Sequence, residues 1–224
     1  MMSKIFPAAT VVLVRDGSDG LQTLLLRRST ALSFGSGNWV FPGGRIDKED
    51  YAEDLADIEQ AARRSAVRET REEADLTIQE QDLLYFAHWT TPPENPKRFA
   101  TWFFIAAFTG DSERVTVDGS EIVEHRWYRP SQALAEQQAK TLKMMPPTFV
   151  TLTELAGCAT VEAAMALYRQ RPVPHFLPRF TATEQGIAML YPGDAGYAAG
   201  EQQALGARHR CWMLDEAWRY EKSD

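Results

Sequence analysis

Apolar residues at 8–14 and 21–26 flank the polar stretch Asp16-Gly17-Ser18-Asp19-Gly20, a pattern that predicts a β-hairpin with a five-residue loop and an aliphatic core face. A short apolar run, Trp39-Val40-Phe41, then meets Pro42-Gly43-Gly44, where two glycines permit a tight turn and close approach of backbone to a ligand. Helical patterning starts between Tyr51 and Glu59 and stops near Asp75, and residues 83–89, 99–108 and 122–128 read as further strands. Ser131 is the expected N-cap of a second helix running to about Lys140.

Met144-Met145-Pro146-Pro147 predicts a boundary, because proline interrupts helix and sheet alike. It divides the chain into a first domain, residues 1–143, and a C-terminal extension, residues 144–224. The extension carries helical patterns at 151–156, where Thr151 and Glu154 have capping-box spacing, and at 160–171. Strands are expected near 176–180, 187–191 and 209–214. The fold class implied is α+β, a mixed sheet with helices packed against it and an α/β extension.

With 224 residues, 44% of them hydrophobic, the chain can build one substantial core or one domain plus a lobe. A formal net charge of −7 argues against a general nucleic-acid binder, which would carry a basic stripe. The most apolar run, 102–108, is too short to span a bilayer, and no long apolar leader opens the chain, so no membrane partner and a cytoplasmic location are expected. Cys158 and Cys211 lack metal-ligand spacing and read as packing residues. The four histidines show no paired zinc spacing.

The chemistry is concentrated between residues 41 and 76. Glu69, Glu72 and Glu73 stand at i, i+3 and i+4, so their carboxylates share one helix face. Three like charges at that spacing repel, and a cation offsets the repulsion. Oxygen donors of this kind suit Mg²⁺ or Mn²⁺ acting with substrate phosphates. A glutamate-rich helical turn is by itself most often a solvated face; the glycine pair upstream is what tilts the reading towards a site.

These residues resemble the signature of the Nudix hydrolases, which runs glycine, five residues, glutamate, seven residues, then Arg-Glu-apolar-x-Glu-Glu-x-Gly-apolar. Gly44 matches its first glycine, and Arg68, Glu69, Thr70, Glu72, Glu73 and Leu76 match its second half in register. Three departures stand out. Ten extra residues lie inside the signature, so its first acid falls on Asp50 counting forward from Gly44 and on Gln60 counting back from Arg68. Asp75 occupies the last glycine position, where a left-handed helix cap would tolerate it. Thr70 replaces an aliphatic residue and is expected half-buried.

Upstream, Leu24, Leu25, Arg28, Ser29, Gly37 and Phe41-Pro42-Gly43-Gly44 follow the spacing of a motif in the coenzyme A diphosphatase branch, with Leu26 and Ser33 departing from its threonine and arginine. The insertion, Arg98-Phe99 and the Pro192-Gly193-Asp194 tripeptide resemble a subgroup related to a mammalian peroxisomal acyl-coenzyme A diphosphatase.

The resemblance implies a Nudix fold, a mixed β-sheet between helices, and metal-dependent hydrolysis of the diphosphate in a small nucleotide-type substrate. Coenzyme A or acyl-coenzyme A leads, ADP-ribose or NADH follows, and a nucleoside triphosphate comes third. It implies that Glu69, Glu72 and Glu73, with a carbonyl of Gly43 or Gly44, hold Mg²⁺ or Mn²⁺, and that Arg68 orients the carboxylates. Glu121 and Glu124 are candidates for the general base, with Glu69 a third. Asp50 and Glu49 could supplement the metal site. Arg28, Arg45, Lys97 and Arg98, with Gly43, are candidates for the substrate's phosphates. Trp39, Trp89, Phe99 and Trp102 could stack an adenine or simply fill the core.

Other classes stay open at this point: a catalytically silent ligand-binding regulator, which loss of a glutamate would favour, and a scaffold that binds no metal. An isoprenoid diphosphate isomerase needs a cysteine near the metal acids, whereas both cysteines fall in the extension. A homodimer is left open.

Overall fold

The computed structural model describes residues 4–32, 35–51, 57–111 and 114–223. The expected hairpin forms from β1 (Ile5–Gly17) and β2 (Gly20–Arg28), with Gly17 paired to Gly20 across a turn tighter than the five-residue loop anticipated. Gly20 has φ +104°, which explains why glycine closes it. Next come β3 (Trp39–Val40), β4 (Gly43–Arg45), a 3-10 turn at Lys48–Tyr51 and α1 (Ile58–Ala74).

Three longer strands follow, β5 (Leu84–Thr90), β6 (Arg98–Ala107) and β7 (Ile122–Tyr128), then the helices α2 (Pro130–Gln138), α3 (Pro146–Leu155) and α4 (Val161–Arg169). β8 (His175–Phe176), β9 (Arg179–Thr183), β10 (Gly186–Leu190), β11 (His209–Leu214) and β12 (Trp218–Lys222) complete the chain. The large sheet runs β3-β2-β1-β6-β5-β8, with β4 on β1 and β7 on β2; β9 to β12 form an antiparallel sheet of four.

Alternation along β1 sends its side chains to two cores. Val11 and Leu13 meet Ala61, Ala62 and Ala66 of α1, while Val12 and Val14 meet the opposite cluster, which includes Phe149 and Leu152 of α3, Tyr168 of α4 and Met189 of β10. This is the mixed α+β arrangement expected, a sheet between helices. Residues beyond 144 share the second core, and β8 extends the large sheet by pairing parallel with β5 at His88 and Trp89.

Several local expectations change. Ser131 does not cap α2: Pro130 is its first residue and Arg129 its cap, because proline's fixed φ suits the start of a helix. For the same reason Pro146-Pro147 opens α3 five residues before the Thr151 start, and Thr151 is buried within the helix. Thr70 is fully buried, its hydroxyl donating to the Ala66 carbonyl at 2.7 Å. β12 is a further strand: it alternates apolar and polar residues, with Trp218 and Tyr220 packed against the second core and Arg219 paired with Glu221 on the other face.

Candidate active site

The glycine turn is built from β1 outward. β4 pairs antiparallel with β1, Gly43 opposite Thr10 and Gly44 opposite Ala9, and the Thr10 hydroxyl donates to the Pro42 carbonyl at 2.7 Å. Gly43 sits at φ +155°, and a β-carbon there would run into the Ala9 carbonyl and lie 2.6 Å from the Thr10 Cα. At Gly44 a β-carbon would strike the Glu69 carboxylate, so the missing side chain is what lets Glu69 seat against the turn.

Helix α1 delivers the acids. Asp57 caps its first turn by accepting from the Gln60 amide at 2.9 Å, and Asp75 ends it in the left-handed conformation, φ 54° and ψ 31°. Glu73 is buried, and its Oε2 accepts the Gly43 N–H at 2.9 Å. Burial pushes the Glu73 carboxyl up to about 8, against the pull of the Gly43 amide, with Glu69 adding to the rise. Burial also raises Glu69, opposed by Arg68. Glu72 is more open, its side chain 57% exposed.

Arg68 gathers the turn, the loop and the helix. It forks onto Asp50, Nε to Oδ1 at 3.1 Å and Nη2 to Oδ2 at 2.9 Å, and Nη2 also donates to the Arg45 carbonyl at 3.0 Å. Its Nη1 donates to Glu69 at 2.9 Å and to Glu72 at 3.0 Å. These carboxylates, the bond from Asp50 foremost, hold its guanidinium firmly charged. Of the two positions that counting allowed, Asp50 therefore meets Arg68, whereas Gln60 hydrogen-bonds Glu80. Asp50 is 5% exposed, and both of its carboxylate oxygens are already engaged, by Arg68 and by the Asp47 amide at 2.8 Å.

A groove of about 870 Å³ opens over this apparatus. It brings together Gly43, Gly44, Arg45, Arg68, Glu69, Glu72 and Glu73 with Arg28, Lys97 and Glu121. Two of the anticipated site residues fall elsewhere. Arg98 is buried at 7% exposure with its Nε donating to the Thr91 carbonyl at 2.9 Å, and it ties the ends of β5 and β6 together. Glu124 pairs with Arg27 at 2.8 Å along the β2–β7 ladder and does not line the groove. Both are reassigned as structural: one-residue steps along a strand alternate sides, and these sit on the wrong one.

Glu121 does face the groove, 3.6 Å from Arg28 across Oε2 and Nη2. Asp118, which the sequence reading passed over, holds it there by accepting the amides of Ser120, Glu121 and Ile122. Burial tends to raise the Asp118 carboxyl, but the Ser120 hydroxyl, which also donates to it, and these amides outweigh that and keep it below the usual carboxylate range. A Asp-Gly-Ser-Glu run is a turn signal that could have flagged it. Arg45 lies over the Phe6 ring at 4.3 Å and Lys97 over Phe99 at 5.4 Å. Trp39 is core, edge-on to Tyr128, and Trp102 is edge-on to His88.

Among the described residues, no three His, Cys, Asp or Glu side chains are arranged to hold an ion as they stand. The reason is visible in their bonds: Glu69 and Glu72 are drawn onto Arg68, and Glu73 onto the glycine turn. The donor set nonetheless fits a divalent cation. Burial raises the carboxyls of Glu69 and Glu73, a strain that a cation would relieve, all three acids line one groove, and every donor is oxygen, which favours Mg²⁺ or Mn²⁺ over softer metals.

A family model of the NUDIX domain matches residues 4–148, about two-thirds of the chain, and the chain belongs to that family. It is a hydrolase acting on diphosphate bonds. It is 27% identical over 211 residues to putative nudix hydrolase 7 of Caenorhabditis elegans, covering 79% of this chain and 70% of that protein. It is 26% identical over 135 residues to the acyl-coenzyme A diphosphatase NUDT19 of Xenopus laevis, covering 55% of this chain and only 35% of that one. A crystal structure of a NUDIX hydrolase from Alicyclobacillus acidocaldarius superposes with a TM-score of 0.64 at 25% identity, covering 74% of this chain and 97% of the other.

Proposed function

We propose that the protein splits the diphosphate linkage of coenzyme A or acyl-coenzyme A, using Mg²⁺ or Mn²⁺. The observation that carries this is the convergence of Glu69, Glu72 and Glu73 with Arg28, Arg45 and Lys97 along one groove large enough for a nucleotide conjugate. The name of the frog relative supports the same substrate class.

Glu69, Glu72 and Glu73, with the Gly44 carbonyl, would hold the metal. When bound, it supplies charge neutralisation at the phosphoryl oxygens and activation of a water for attack on phosphorus. The chain's own groups do the rest. Asp50 locks Arg68, which sets the positions of Glu69 and Glu72. Glu121, fixed by the Asp118 turn, takes the proton from the attacking water. Arg28, Arg45 and Lys97 meet the phosphate oxygens; Arg28 offers a buried Nε with no hydrogen-bond acceptor among the described residues.

The test is incubation with Mg²⁺ or Mn²⁺ and a panel of coenzyme A, acetyl-coenzyme A, ADP-ribose, NADH, diadenosine polyphosphates and nucleoside triphosphates, with products resolved by chromatography. Coenzyme A should yield 3′,5′-ADP and phosphopantetheine. Faster turnover of ADP-ribose or NADH, with coenzyme A at background, would move the protein to the dinucleotide class.

A further inference from the structure

The groove is chemically divided by the origin of its walls. Among the described residues, every Arg, Lys, Asp and Glu that lines it lies between residues 28 and 121, whereas the segment from Met145 onward supplies three prolines, three methionines, Phe180 and one hydroxyl, Thr148. Phe180 and Met189 are direct cross-strand partners on β9 and β10. Met189 is also opposite Cys211 on β11, and Met213 lies two residues further along that strand, so Phe180, Met189 and Met213 share one face of the small sheet. Trp89 and Phe103 of the large sheet line the same groove.

We propose that this apolar wall binds an unbranched acyl chain, carried as a thioester on the half of the substrate remote from the nucleotide. The C-terminal segment thereby sets a preference for acylated over free coenzyme A. The inference rests on the diphosphatase reading and deepens it by naming the tail.

The wall's chemistry selects the occupant. An adenine buried there would leave most of its ring nitrogens without partners, since Thr148 is the wall's one polar side chain, and unpaired buried polar atoms are costly. Trp89 has one ring face already taken, stacked on Phe176 at 3.9 Å and 1°, and is 5% exposed, so it offers a base little surface. Methionines have three rotatable bonds and a polarisable sulfur, so they adapt to a flexible chain. Phe180 lines the groove and is 38% exposed, so the wall is open to solvent at that residue. The wall is continuous with the acids, so one substrate can span both.

The test uses the full chain with Mg²⁺ and a series of straight-chain substrates: free, acetyl-, butanoyl-, hexanoyl- and octanoyl-coenzyme A. kcat/KM should rise by up to about fourfold per added methylene until the wall is covered, the factor equivalent to ~0.8 kcal/mol per buried methylene. Phe180→Glu, at a half-open position that tolerates charge, should cut the octanoyl-to-free ratio of kcat/KM at least tenfold; Met213→Gln should lower it more mildly. Thermal melts would verify that both variants are folded.

A wild-type profile flat in chain length, with coenzyme A still cleaved, would overturn the acyl subsite and leave the diphosphatase reading standing. A fall in Phe180→Glu that is equal on all five substrates would do the same. No cleavage of any of the five would overturn both.

Discussion

Asp50 and Arg68, eighteen residues apart and separated by the insertion, meet in a two-bond fork of 3.1 and 2.9 Å that joins the loop after the glycine turn to the acidic face of α1. Because the same guanidinium holds Glu69 and Glu72, the fork transmits the position of the loop to the metal-ligand candidates. Asp50→Asn keeps the volume but removes the charge. It should lower kcat/KM by about 10- to 100-fold, the usual cost of losing a group that orients ligands. The apparent Mg²⁺ affinity should weaken with it, as read from rate against metal concentration. Unchanged metal dependence would show that Arg68 is held well enough without Asp50.

Glu73→Gln removes one ligand charge while its side-chain carbonyl can still accept the Gly43 amide. Activity should fall at least ~10²-fold on any substrate, with the circular dichroism spectrum retained. Full activity in this variant would refute the metal assignment.

Metal and pH should act together at the same residue. The Glu73 carboxyl titrates near 8 in the fold against an ordinary 4.5, so the folded state holds its proton longer than the unfolded chain does. Without metal, this group therefore costs stability progressively as pH rises from about 4.5 to 8. Added Mg²⁺ or Mn²⁺ should reverse that loss, and its thermal shift should be larger at pH 8.5 than at pH 6. At a hundredfold excess over Kd the stabilisation is about 2.7 kcal/mol. A metal-induced shift independent of pH would place the cation away from Glu73.

Gly43 and Gly44 should fail differently on substitution by alanine. At Gly43 the new methyl meets backbone, which cannot step aside, so Gly43→Ala should destabilise the fold by about 1–3 kcal/mol, visible in urea denaturation. At Gly44 it meets the Glu69 carboxylate, the far end of a flexible side chain. Gly44→Ala should leave the melting temperature within a few degrees and depress kcat. The reverse pattern would mean that the turn, and not the seating of Glu69, is what Gly44 serves.

His88 supplies an acid-sensitive joint. Burial first, and then neighbouring His175, 5.1 Å away between ring centroids, lower its pKa to about 4. Folding thus favours the neutral ring: the associated stability is complete above the unfolded value of about 6.5 and is lost as pH falls towards 4. The two histidines pair β5 with β8, the strand that docks the C-terminal segment on the large sheet. Melting temperature should drop over that window in the native protein and drop less in His88→Gln. Equal acid sensitivity in both would assign the transition to other groups.

The division of labour in the C-terminal segment was visible only in part. Its Pro-Gly-Asp stood out in the sequence as part of a subgroup likeness, and the fold gives it a structural use. Asp194 is buried and forked onto buried Arg210, with bonds of 2.7 and 2.6 Å, and it accepts the His209 amide at 2.8 Å. Bonds to Arg210 and to backbone amides outweigh burial and hold the carboxyl below its usual range. Sixteen residues separate this pair, and no local pattern links them.

What the amino-acid order determined by itself was everything with a short repeat. Helical spacing put three glutamates on one face of α1, and apolar runs bounded by turn residues marked the hairpin and the central strands. A pair of glycines announced a turn where side chains have no room. These follow from bond geometry within a few residues. The tertiary structure alone decided which of two counts finds the partner of Arg68, that Glu121 faces the groove while Glu124 turns to Arg27, and that Arg98 is a buried tie. Only there, too, did β9 to β11 become an apolar wall beside the acids. Each of those outcomes depends on which strand lies next to which and in what register, and that is settled by the packing of residues far apart in the chain, where one position of slip exchanges the inside of a sheet for the outside.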